Sequence, residues 1–108
     1  MTLSEAIAVF EEQKPGYLSE EEKRHFIELL DSLVASVPVI HRNEDAVLLI
    51  PEPFSELYTL FLKAQAELKW NEIQNFNNTN ALFSSLFDEF KRQKMRTNLP
   101  FKKFLKIF

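Results

Sequence analysis

Apolar side chains recur every three or four residues through most of this 108-residue chain, and that helical period leaves few folds open to it. Leu3, Ala6, Ile7 and Phe10 share one helix face, opened by the Thr-x-x-Glu capping pattern of Thr2 and Glu5 and closed by Pro15 and Gly16. Ser19 and Glu22 repeat the pattern ahead of a stripe formed by Phe26, Ile27, Leu30, Leu33, Val34 and Val37, so a second helix is expected over about 20–36. Pro53 suits the first turn of a third helix reaching to about Asn75, some 35 Å at ~1.5 Å per residue. On it Phe54, Leu57, Leu60, Phe61, Ala64 and Leu68 cover one side, Tyr58, Leu62 and Ala66 the next, and Glu56, Thr59, Lys63 and Glu67 form a narrow polar strip. So wide an apolar arc implies a central helix with neighbours on two sides, or one that meets a second subunit.

Between the second and third helices, the apolar runs 37–41 and 46–50 flank the polar residues 42–45, which reads as a short β-hairpin, with an irregular loop as the alternative. Pro38 confines the first run to an edge. The polar stretch 75–80 reads as a loop that caps a fourth helix over about 80–94, with Leu82, Phe83, Leu86, Phe87 and Phe90 inward. Pro100 then opens a short fifth helix whose Phe101, Phe104, Leu105 and Phe108 oppose Lys102, Lys103 and Lys106. The expected architecture is mainly α: a single four-helix bundle-like domain over 1–108, with a short C-terminal helix and the hairpin inserted between helices two and three.

Composition excludes several chemistries. With one glycine there is no phosphate-cradling loop, and with no cysteine there is no disulfide, thiolate metal site or cysteine nucleophile. Glu22 and His25 form a lone Glu-x-x-His without the second motif a di-metal bundle needs. No catalytic residue, metal site or cofactor is therefore expected. No apolar run approaches a membrane span and Glu5 sits where a secretory leader carries positive charge, so the cytoplasm is the expected compartment.

Charge is strongly polarised. Residues 1–90 hold all sixteen acids against six bases, a formal −10, whereas residues 91–108 carry seven bases and no acid. The leading expectation is a non-enzymatic protein-interaction module: a small accessory, inhibitor or immunity-type factor whose acidic surface meets a basic partner. Trp70 on the polar strip, with Lys63, Glu67 and Glu56, is the expected contact set, because a Trp buries much area at little conformational cost. Homodimerisation through helix three or the hairpin edge is a further expectation. The alternative is a nucleic-acid-binding regulator that uses Lys91, Arg92, Lys94, Arg96, Lys102, Lys103 and Lys106. A third reading is a small metal-dependent or hydrolytic enzyme at the loop of His41, Arg42, Glu44 and Asp45, the densest group of titratable side chains.

Overall fold

Both capping boxes form. The Thr2 hydroxyl accepts the Glu5 amide while the Glu5 carboxylate accepts the Thr2 amide, starting α1 (Leu3–Gln13); Ser19 and Glu22 do the same for α2 (Glu20–Ala35). These reciprocal bonds satisfy amides that a helix start leaves without partners. Gly16, at φ 79°, turns the chain between the two. The remaining helices are α3 (Glu56–Lys69) and α4 (Ile73–Thr97). This computed structural model describes residues 1–41 and 43–97, with the side chains of 96 and 97 also outside the description. The expected fifth helix lies outside the described residues.

Four consecutive residues of α3, Leu57 to Leu60, are buried, which happens to a helix only when neighbours cover it on several sides. Here α1, α2 and α4 all pack on α3, and among the described residues α4 meets no other helix backbone closely. Leu3, Ala6 and Phe10 of α1, Ile27 and Leu30 of α2, and Phe90 of α4 close on this central rod. Each fully buried aliphatic or aromatic side chain contributes about 1.5–3 kcal/mol by leaving water. Phenylalanines make the seam with α4: Phe26 meets Phe61, Phe61 meets Phe83, Phe83 stacks on Phe87, and Phe90 lies against Phe54, with ring centroids 5.3–6.2 Å apart. None of the described helices is long and apolar enough to cross a membrane.

Three expectations are corrected. No hairpin forms among the described residues. Residues 46–48 instead lie beside the N-terminus, where the Leu3 amide donates to the Ala46 carbonyl (3.0 Å), the Leu48 amide donates to the Met1 carbonyl (2.9 Å), and Thr2 bridges Val47. The run 37–41 lies along α2, the Val39 amide donating to Ser32 Oγ and the His41 amide to Glu28 Oε2. Side chains of α2 thus take the bonds a second strand would have used, beside a Pro38 that offers no N–H.

The third helix is shorter than expected and the fourth longer. The chain turns at Asn71, in the left-handed region at φ 59°, just after Trp70 closes α3. The supposed loop 75–80 is helical because Phe76 and Thr79 continue the face on which Phe83, Leu86, Phe87 and Phe90 pack against the core, while Asn75, Asn77, Asn78 and Asn80 face water. Packing of that face outweighs the weak helix propensity of asparagine.

Candidate functional site

The short α3–α4 turn brings the end of α3, the start of α4 and the end of α1 to one corner. Glu67, only 1% exposed, presents Oε2 to Lys14 Nζ at 3.3 Å, and the same ammonium lies 3.3 Å from Glu72 Oε1. Glu72 also accepts the Tyr17 hydroxyl (2.8 Å) and the Asn75 side-chain amide (3.1 Å). Burial works against the charge on Lys14, yet its bonds to Glu67 and Glu72 outweigh that cost and raise its pKa. Hydrogen bonds from Asn75, Tyr17 and Lys14 lower the pKa of Glu72, and the Glu72 carboxylate raises that of Tyr17.

Trp70 stands on this frame. Its Nε1 donates to the Tyr17 carbonyl at 2.7 Å and its ring meets Tyr17 edge-on at 6.0 Å, while Lys69, paired with Glu22 at 2.8 Å, lies over the ring with its ammonium 6.0 Å from the centroid. The indole is pinned and still 56% exposed, flanked in the same turn by Leu68 at 49% and Ile73 at 47%. Three large apolar side chains thus face solvent at one fixed place.

The expected contact residues divide. Trp70 is at the corner because it caps α3, not because it lies on a polar strip. Lys63 and Glu67 line the same cleft beside Lys14, but Glu67 and Thr59 are buried, since α1 packs over that side of α3. Glu56 is exposed at the other end of α3, where it and Glu52 line a cleft with Val9 and Gln13 of α1. Among the described residues Glu12, Glu52 and Glu56 make no ion pair, whereas Lys14, Lys23, Arg24 and Lys69 are each held by carboxylates.

The loop expected to carry titratable chemistry is taken apart by the fold. His41 turns inward, 8% exposed, with Nε2 2.7 Å from Asp31 Oδ2, while Glu44 and Asp45 face solvent and Arg42 lies outside the described residues. Tyr58 donates to the other Asp31 oxygen and accepts the Ile50 amide at 2.7 Å. Burial, and then the Asp31 carboxylate, push the Tyr58 phenol far above its ordinary pKa. The triad pins the connector between α2 and α3 to both helices. Sequence reading passed over Asp31 and Tyr58; the signal was an acid set within the apolar stripe of Ile27, Leu30 and Val34. Among the described residues no three His, Cys, Asp or Glu side chains group to hold a metal ion.

Of the basic set, Lys91 pairs with Asp88 (3.6 Å), Arg92 with Glu89 (2.7 Å), and Lys94 donates to the Val34 carbonyl (3.2 Å). The Arg96 side chain and Lys102, Lys103 and Lys106 lie outside the described residues. Comparison with protein-family models, curated proteins and solved structures gives no match.

Proposed function

We propose that this chain is a non-enzymatic protein-interaction module whose α3–α4 corner anchors a partner with a basic surface. The pinned, half-exposed Trp70 is the observation that carries this reading. An indole already fixed by Tyr17 loses little freedom on binding, and large rigid aromatics in an apolar setting dominate interface energies. The sign of the partner follows from the carboxylates: with Lys14, Lys23, Arg24 and Lys69 compensated, Glu12, Glu52 and Glu56 outweigh Lys63, which makes no ion pair among the described residues, and the net negative field speeds encounter with a cationic surface.

Capture from native lysate with tagged wild-type and Trp70→Ala protein tests the reading. The expected result is recovery of a basic protein that weakens with salt and falls about 30-fold for Trp70→Ala, the ~2 kcal/mol of an aromatic anchor. Equal recovery by the two proteins removes Trp70 from the interface. Salt-sensitive retention of single-stranded or duplex nucleic acid at low salt would favour the basic α4 end instead.

A further inference from the structure

Lys63 and Glu67 stand four residues apart on α3, a spacing at which opposite charges ordinarily pair across one helix turn. They do not pair. Glu67 turns its Oε2 to Lys14 and leaves Oε1 buried without a hydrogen-bond donor, while Lys63 makes no ion pair among the described residues. A buried acceptor without a donor costs about 1–3 kcal/mol, so a ligand that brings a donor to Oε1 recovers that cost. Both side chains line a cleft of about 530 Å³ between the end of α1, α3 and the start of α4, whose other polar groups include the carboxamides of Gln13, Asn75 and Asn78. Leu82 supplies an apolar wall.

Two complementary needs therefore lie at one cleft: a donor for Glu67 Oε1, which is itself closed to solvent, and an anion for Lys63 Nζ. Glu67, Glu72 and Lys14 together carry a net negative charge, which suits a cationic donor better than a neutral one. We propose that this cleft binds a zwitterion of the α-amino acid class, its ammonium on Glu67, its carboxylate on Lys63, and a carboxamide side chain among Gln13, Asn75 and Asn78. Glu67 forms the buried floor, and the exposed Gln13 and Asn78 stand at the rim, so the ligand enters by displacing rim side chains and leaves the Lys14 bridge in place. The proposal goes beyond the interaction reading and stands without Trp70.

The test is a titration of isotope-labelled full-length protein with L-glutamine, followed by amide chemical shifts. Saturable shifts around residues 63, 67 and 78 are expected. N-acetyl-L-glutamine, which lacks the ammonium, and L-glutaminamide, which lacks the carboxylate, should each bind about tenfold more weakly, the loss of one charged contact. Lys63→Met should make L-glutamine and L-glutaminamide bind alike, and Glu67→Gln should do so for L-glutamine and its acetyl derivative. Lys63 is partly exposed, so its variant should melt like wild type and remain informative should Glu67→Gln fail to fold. An absence of saturable shifts, or equal binding of all three compounds to wild-type protein, overturns the proposal.

Discussion

Replacing Tyr58 by Phe removes one oxygen and leaves the ring where it is, which makes it a clean measure of the Asp31–His41–Tyr58 lock. The hydroxyl donates to Asp31 and accepts the Ile50 amide, and Tyr58, Asp31 and Ile50 are all fully buried. Without it a buried N–H and a carboxylate oxygen lose their partners at about 1–3 kcal/mol each, a total of about 4 kcal/mol. Domains of this size have only about 5–15 kcal/mol of stability in all. With a urea slope of about 2 kcal/mol/M, the midpoint should fall by about 2 M, read by far-ultraviolet circular dichroism and Trp70 fluorescence. Asp31→Asn should cost less in the Tyr58→Phe background than in wild type, with a coupling of about 1–3 kcal/mol. A loss below about 1 kcal/mol for Tyr58→Phe would refute the argument, because it would mean that neither buried group depends on the hydroxyl.

Other expectations follow from single contacts. Ser19→Ala deletes the acceptor of the α2 capping box and should cost about 1 kcal/mol in a denaturant titration. Bonds to Lys23 hold Glu11 below its ordinary pKa of 4.5, as Lys69 does Glu22 and Asn75 does Glu72. Their folded-state values lie below those of the unfolded chain, so their stabilisation is present at neutral pH and drains away as pH falls below 4.5; Glu11→Gln should flatten that part of a melting-temperature profile. Lys14 and Lys23 are raised above 10.5, so their contribution is complete below that pH and is lost as the solution becomes more alkaline. Trp70 should be readily quenched by acrylamide in the native state, and Trp70→Ala should cost less than about 1.5 kcal/mol of stability, the range of one ordinary hydrogen bond.

The starts of α1 and α2 were legible because their causes are local: Thr2 with Glu5, and Ser19 with Glu22, are three residues apart, and the stripes on α1 and α2 repeat at the helical period. The burial of α3 was legible too, from an apolar arc too wide for a surface helix. The α3–α4 boundary was not. Asparagines at 75, 77, 78 and 80 read locally as a loop, and only the fit of Phe83, Leu86 and Phe87 against the core makes that segment helix. The runs 37–41 and 46–50 were misread as a hairpin for the same reason: their backbone partners include residues 1–4 and side chains of α2 and α3, which no neighbouring residue announces.

The candidate site divides along the same line. Sequence alone singled out Trp70 and Lys63 and concentrated negative charge in the first ninety residues, because residue type and position along the chain are enough for that. The tertiary structure decided that the indole is pinned by a carbonyl 53 residues away, that Lys14 reaches Glu72 across 58 residues, and that Asp31 and Tyr58 meet across 27. Capping and amphipathicity act over one or two turns and leave a mark in local sequence; a buried hydrogen bond between distant residues exists only once packing has excluded water and brought donor to acceptor.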